Sequence, residues 1–122
     1  MGLLLLLPFL ITSVEAIAED EKALFSKGCS ACHTLNFNSS QRQGPTLDRV
    51  IGRKAGSIKN FPYSDGLKNA EWDWTPERLD KWLINPQDVI PDSYMLYRQT
   101  DPIVRKKIIN FLQSDRKKKQ GK

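Results

Sequence analysis

The chain contains few of the residues that bind metals or crosslink a fold. Its 122 residues include two cysteines, a single histidine and two methionines. A structural zinc site takes about four ligands, so this supply does not suffice for one. A disulfide between two cysteines only three residues apart would close a very small loop and restrain little chain entropy. Neither a zinc ion nor a crosslink is therefore expected to hold this domain together.

A hydrophobic run long enough to cross a membrane is also missing. The apolar stretch Gly2–Val14 has 13 residues, which span about 20 Å as a helix at ~1.5 Å per residue, against ~30 Å of hydrocarbon. Small residues follow it, as in an export signal. We predict that residues 1–18 form a signal peptide that is cleaved after Ala16 or, preferably, after Ala18.

The excess of positive charge does not come with a nucleic-acid motif. Lysine and arginine outnumber aspartate and glutamate by 19 to 14. Cations near a helix C-terminus suit the macrodipole, and no groove-reading motif accompanies them, so no nucleic-acid partner is expected. We interpret residues 115–122 as a basic C-terminal tail after a domain at 19–114, formed by a solvated helix end that frays. The positive charges of this tail are Arg116, Lys117, Lys118, Lys119 and Lys122.

Sustained strand alternation and internal repeats are absent, whereas three segments carry helix signals. The first runs from Glu19 to Lys27 and ends at Gly28, as helix dipole and C-cap rules favour. The second begins at the N-cap Thr75 and stops at Asn85-Pro86, and the third begins at Asp101-Pro102. The sequence therefore predicts an all-α fold of three main helices.

Long loops separate these helices, over residues 34–70 and 86–100. Irregular chain with little core of its own is usually mobile. A large apolar cofactor would supply the missing core.

The two cysteines and the only histidine occur together, as Cys29-Ser-Ala-Cys32-His33. This Cys-x-x-Cys-His pattern attaches c-type haem. The two thiols add to the porphyrin vinyl groups as thioethers, and the adjacent His33 becomes an axial ligand of the iron. The alternative is a thiol–disulfide oxidoreductase acting through Cys29 and Cys32. That alternative normally comes with a βαβ pattern, which this chain lacks.

The second axial position has one candidate, Met95, in the segment NPQDVIPDSYMLY. A lone methionine is most often a filler of core gaps, but this one follows a polar, proline-containing loop. Ligation by His and Met raises the reduction potential and favours electron transfer over oxygen binding. If Met95 is labile, the open iron would instead serve a peroxidase-like or gas-binding protein.

The sequence resembles the class I cytochromes c, the small soluble monohaem proteins of bacteria and mitochondria. The resemblance extends over about residues 19–114. Its pieces occur in family order: CSACH, GPTL, IGRKAG, FPYSDGLKNA, Trp74, LDKWLINPQDVIPDSYM and IINFLQ.

The resemblance implies a cytochrome c fold wrapped around one haem c. Cys29 and Cys32 would hold the haem covalently, His33 and Met95 would ligate the iron, and the carbonyl of Pro45 would accept the ring N–H of His33. Phe25 and Phe111 would join the first and last helices. Further haem contacts are implied for Arg53, Tyr63, Ser64, Trp74 and Ser93 at the propionates and for Trp82 and Tyr97 along the pocket.

Four positions depart from the family pattern. Glu21 replaces a glycine where the terminal helices cross, so we expect a looser or shifted contact there. Leu67 replaces a polar residue near a propionate, and Asp92 replaces a turn glycine, which puts the usual turn in doubt. Trp82 stands where tyrosine is frequent, and an indole can only donate to the Met95 sulfur.

The expected docking face also departs from the mitochondrial pattern. Its lysines, which in those members meet acidic partners, are replaced by Gln87, Asp88 and Tyr94, although Lys27, Lys54 and Lys68 remain nearby. We therefore expect weak electrostatic steering and a more apolar contact patch.

By resemblance, the protein is a monomeric carrier of single electrons that transforms no small-molecule substrate. Its expected partners are membrane or periplasmic redox proteins, such as a cytochrome bc1-type complex and a terminal oxidase or reductase. Thioether attachment in bacteria takes place outside the cytoplasm, so the predicted signal and the haem motif together place the protein in the periplasm.

Overall fold

The structure, a computed structural model, describes residues 13–122. Most of the predicted export signal lies outside the described residues. Within them the chain forms five helices and no β-strand, which confirms the all-α prediction. None of these helices is both long and apolar enough to span a bilayer. The helices are α1 Ser13–Cys29, α2 Asp65–Lys68, α3 Pro76–Ile84, α4 Pro86–Val89 and α5 Pro102–Gln120.

The two longer helices after the loops start where the sequence indicates. At α3 the Thr75 hydroxyl accepts the backbone N–H of Arg78 over 3.2 Å. At α5 the Asp101 carboxylate accepts the N–H of Ile103 over 2.9 Å. Each of these caps is followed by a proline in the first helical turn, where the missing N–H costs no hydrogen bond.

Two short helices lie within the predicted loops. Helix α2 is capped by Ser64, and α4 is capped by Asn85, whose side chain accepts the N–H of Gln87 over 3.3 Å. Both caps are visible in the sequence, but each helix has only four residues. Such a helix depends on tertiary contacts, because isolated short helices are marginal in water.

The ends of α1 and α5 correct the sequence interpretation. Helix α1 covers Ser13–Cys29, so it includes residues before the predicted start at Glu19 and continues through Gly28; cleavage after Ala16 or Ala18 stays a prediction. Gly28 is therefore not a cap. A Cβ there would lie 2.8 Å from the Tyr97 hydroxyl, so a close side-chain approach accounts for the glycine. Helix α5 extends to Gln120, so the basic tail is largely the end of this helix and only Gly121 and Lys122 lie beyond it.

Helices α1 and α5 pack through the aromatic pair that the resemblance implies. The Phe25 and Phe111 ring centroids are 4.7 Å apart. Beside them the half-buried Glu21 carboxylate accepts the Asn110 amide over 3.4 Å. A polar contact thus occupies the crossing where the family usually has a glycine. Helix α5 also contacts α3, and the buried Arg105 joins them through a 2.7 Å ion pair to Asp80.

Candidate functional site

A cavity of about 540 Å³ is lined by residues from the C-terminal end of α1, from α3 and from α5. Its size falls in the usual range for cofactor sites, about 300–1,000 Å³. Its lining is mostly apolar and includes Val50, Leu67, Leu79, Leu83 and Ile108. All of the residues nominated from the sequence also line it, namely Cys29, Cys32, His33, Pro45, Arg53, Tyr63, Ser64, Trp74, Trp82, Ser93, Met95 and Tyr97.

A backbone turn at the end of α1 places His33 in the cavity wall. The N–H groups of Cys32 and His33 donate to the Cys29 carbonyl over 3.2 and 3.0 Å. The following loop returns to the motif, because the Gly44 N–H donates to the Cys32 carbonyl over 2.7 Å. A Cβ on Gly44 would lie 2.3 Å from His33 Cε1. Only glycine lets the loop pass this close to the imidazole.

The carbonyl of Pro45 fixes the protonation of His33. His33 Nδ1 lies 2.7 Å from that oxygen, which can only accept, so Nδ1 carries the proton. Burial lowers the pKa of His33, the Pro45 bond raises it and the positive charge of Arg53 lowers it, and the net shift is downward. The ring is therefore neutral, with a lone pair left on Nε2. This is the state that an imidazole needs to ligate a metal.

The two cysteines are free thiols, with Cys29 buried and Cys32 half-buried. Burial, followed by the charge of Cys32, raises the pKa of Cys29 from 9.0 to about 11. The Cys32 thiol donates to the Gln43 side-chain oxygen over 3.5 Å. A thiol with a raised pKa is a poor nucleophile and a poor redox centre, since the thiolate is the reactive form.

Met95 is held at three of its atoms. Its sulfur accepts the indole N–H of Trp82 over 3.2 Å, and its backbone N–H donates to the Ser93 hydroxyl over 3.3 Å. Its carbonyl accepts the Gln87 amide over 2.7 Å, and the same amide donates to the Ser93 carbonyl over 3.0 Å. The side chain that could serve as a sulfur ligand is thus fixed by its surroundings.

Sequence reasoning missed the contacts of Gln87 with the Met95 loop, because Gln87 was assigned only to the docking face. Its position follows from the Asn85 cap and the buried Pro86 at the start of α4. The cap was readable in the sequence, but the two carbonyls that Gln87 holds were not.

The polar residues expected at the propionates are tied to the surrounding loops. Arg53 donates to the carbonyls of Asp48 and Thr46, both over 2.7 Å. The Tyr63 hydroxyl accepts the N–H of Ile58 over 3.1 Å. Burial lowers the pKa of Arg53 and raises that of Tyr63. Each group is therefore anchored to backbone at the cavity wall.

Asp92 takes the place of a glycine without backbone strain. In the described part of the chain, positive φ values at residues other than glycine occur at Arg49 and Asn60, and Asp92 does not have one. Its carboxylate accepts the N–H of Gly66 over 3.0 Å. The turn therefore does not require glycine, and Asp92 joins the Met95 loop to α2. The other substitution in this region, Leu67, adds an apolar side chain to the cavity wall.

A helical domain with a Cys-x-x-Cys-His turn and a methionine in one apolar cavity defines a c-type haem protein. The family model for cytochrome c matches residues 18–115, so the chain belongs to the cytochrome c family. It is a class I monohaem cytochrome c. Its cofactor is a covalently attached haem c, and it acts in electron transport with redox partners.

Relatives and a solved structure agree with this assignment. The chain is 40% identical over 83 residues to the cytochrome c-type cyt cy of Rhodobacter capsulatus, covering 68% of this chain and 40% of that protein. It is 34% identical over 103 residues to cytochrome c type-1 of Ascaris suum, covering 82% of this chain and 89% of that protein. The structure of cytochrome cH from Methylobacterium extorquens superposes with a TM-score of 0.70 at 33% identity, covering 80% and 97% of the two chains.

Proposed function

We propose that this protein is a periplasmic carrier of single electrons, in which His33 and Met95 would ligate the haem iron. Bound haem supplies a one-electron couple between ferrous and ferric iron. The observation that carries the proposal is the fixed Met95 sulfur, which accepts the Trp82 indole N–H over 3.2 Å in the wall that also contains His33. The donor set fits haem c, since two thiols, a neutral imidazole and a thioether sulfur share one mostly apolar cavity.

In this proposal each of these residues has one task. Cys29 and Cys32 anchor the haem as thioethers. Pro45 keeps the proton on Nδ1 of His33, which makes the imidazole a stronger donor through Nε2. The Trp82 N–H withdraws electron density from the Met95 sulfur, which favours the ferrous state. Arg53, Tyr63, Ser64, Trp74, Ser93 and Tyr97 would complete the polar and aromatic walls of the pocket.

The apolar lining supports electron transfer over chemistry at the iron. Val50 is 2% exposed and Leu79 is 6% exposed, so buried apolar side chains form these walls of the cavity. The three hydrogen bonds at Met95 and its loop oppose its departure from the iron. A peroxidase-like or gas-binding protein needs an open position, so these bonds disfavour that alternative. The raised pKa of Cys29 likewise disfavours a thiol–disulfide oxidoreductase.

The surface beside Met95 indicates which kind of contact the protein would make with its redox partners. Tyr94 is 73% exposed and Leu96 is 81% exposed, so two large side chains flank the methionine in the sequence. Asp88, also exposed, adds negative charge in the same loop. We therefore propose a monomer that meets its partners, a cytochrome bc1-type complex and a terminal oxidase or reductase, mainly through apolar contact. Such redox encounters typically bury less than about 1,200 Å².

Carbon monoxide binding to the reduced holoprotein tests this function. We expect little binding at neutral pH, because Met95 occupies the position that the gas would need. The Met95→Ala variant opens that position and should bind the gas readily, as a change in the visible spectrum records. If the unmodified protein binds carbon monoxide as readily as Met95→Ala, the carrier proposal is wrong and the gas-binding alternative gains support.

A further inference from the structure

The last residues of α5 lie beyond the family match yet contact the body of the domain. The match ends at residue 115 and α5 continues to Gln120. The Lys119 ammonium lies 2.8 Å from the Leu35 carbonyl and 2.8 Å from the Asp115 carboxylate, and it also pairs with Asp48. An ammonium group has three N–H donors; here it donates to Leu35 and Asp48, and the Asp115 carboxylate adds a second ion pair. This geometry is not that of a solvated tail.

Asp48 is the reason that a cation is needed at this place. It is only 5% exposed, and a buried carboxylate without a partner is costly. Arg49 approaches it at 3.8 Å, but that side chain is 60% exposed, whereas the Lys119 side chain is 28% exposed. Burial acts to lower the pKa of Lys119, but Asp115 and Asp48 outweigh it and the net shift is upward. Lys119 is therefore the better placed partner of Asp48.

The two anchor points of Lys119 on the loop enclose the residues that fix His33. Leu35 and Asp48 bound the segment 35–48, which contains Gly44 and Pro45. Nearby, the Leu47 N–H donates to the Thr34 carbonyl over 2.8 Å, so the same ends are also joined through backbone. The Asp48 carbonyl in turn holds Arg53 at the cavity wall.

We propose that Lys119 is a positioning residue, which clamps both ends of segment 35–48 and so keeps the Pro45 carbonyl on His33 Nδ1. Arg116 attaches the same helix end to the loop that follows this segment, because its guanidinium packs over Gly52, where a Cβ would lie 2.7 Å from Arg116 Nη1. The inference rests on the proposed function, since it gives the end of α5 a role in holding the iron ligand.

The test compares Lys119→Gln with Lys118→Gln in the full holoprotein. Both variants remove one positive charge from the same helical turn, but Lys118 is exposed. In the reduced state, NMR measures how fast the His33 ring N–H exchanges with solvent, and a titration measures the reduction potential. We expect Lys119→Gln to speed that exchange at least about tenfold, because the clamp normally opposes local opening. Its potential should fall further than that of Lys118→Gln, because the charge of Asp48 is left uncompensated.

Asp48→Asn changes the loop residue of the same ion pair. It should also speed the exchange, but it should raise the potential, because it removes a negative charge. This variant carries the test if Lys119→Gln does not accumulate as holoprotein. The double variant should return the potential close to that of the unmodified protein, since both charges are gone.

Equal exchange rates in Lys119→Gln and Lys118→Gln would overturn the inference, and so would a drop in thermal stability with unchanged exchange of the His33 proton. Failure of the carrier proposal has a different signature. It would be visible in the unmodified protein as ready carbon monoxide binding.

Discussion

The two proposed iron ligands are held in different ways. His33 sits in a turn directly after α1, and its partner is a backbone carbonyl delivered by a loop that passes too close for any residue but glycine. Met95 sits in a loop, and side chains hold it, with Trp82 at its sulfur and Gln87 at its carbonyl. The His33 side therefore depends on backbone fit, whereas the Met95 side depends on individual hydrogen bonds. A substitution on the His33 side should therefore disrupt the site abruptly, whereas substitutions on the Met95 side should weaken it gradually.

The largest effect is expected for Gly44→Ala. The added methyl group would lie 2.3 Å from His33 Cε1, so the loop or the ring must move. Overpacking of this kind typically costs about 1–3 kcal/mol, occasionally more. We expect a clear fall in the denaturant midpoint and in holoprotein yield. Gly121→Ala is the matched control, because a Cβ there meets nothing closer than 3.9 Å. Equal stability of the two variants would contradict the account of the His33 side.

Gln87→Glu should have an intermediate effect that depends on pH. The carboxylate cannot donate to the carbonyls of Ser93 and Met95, so both lose a partner at neutral pH. Leaving a buried acceptor unsatisfied costs about 1–3 kcal/mol, and the cost is smaller here because both hydrogen bonds are only part-buried and water can replace them. Protonation restores one donor, so the charge-transfer band of methionine-ligated ferric haem should strengthen as the pH falls through the range of the new carboxyl.

The control for this variant is Asp88→Asn, which changes a neighbouring exposed residue of the same short helix. It should keep the band at all pH values at which the unmodified protein does. A band that is insensitive to pH and of full intensity in Gln87→Glu would show that the Gln87 hydrogen bonds to Ser93 and Met95 are not needed.

A smaller effect is expected for Trp82→Phe. The change removes the indole N–H from the Met95 sulfur while leaving an aromatic ring in the packing. The sulfur then becomes a stronger donor, ferric iron is favoured and the potential falls, by roughly 40 mV if the bond is about 1 kcal/mol stronger in the ferrous state. Trp72→Phe serves as the control, since Trp72 contacts Trp74 and does not line the cavity. A potential that rises in Trp82→Phe would contradict this role.

The smallest effect concerns the surface beside Met95. With Tyr94 and Leu96 exposed there and no lysine between Pro86 and Tyr97, association with a redox partner should depend only weakly on ionic strength. Stopped-flow rates across a salt series measure this directly. A steep fall of the rate with salt would contradict the apolar contact patch.

Local signals in the sequence predicted α3 and α5, which each begin with a capping residue and a proline, but the same signal at Asn85-Pro86 was interpreted only as a helix stop and α4 was missed. The Cys-x-x-Cys-His motif predicted that Cys29, Cys32 and His33 share one site. Other features depend on contacts between distant residues. Lys119 pairs with Asp48 across 71 positions, so this contact could not be predicted from the local charge pattern of the tail. Gly28 was misread as a helix cap because its neighbour Tyr97 lies far along the chain. Gln87 was missed because its partners are backbone carbonyls, which carry no sequence signature.

The most direct test of the central claim is the proton NMR spectrum of the reduced holoprotein. If the Met95 sulfur ligates the iron, its methyl group lies over the porphyrin, and the ring current should shift that resonance far upfield of ordinary methyl groups. The Met95→Ala variant should lose this signal. A Met95 methyl resonance in the ordinary range in the unmodified protein would contradict the account.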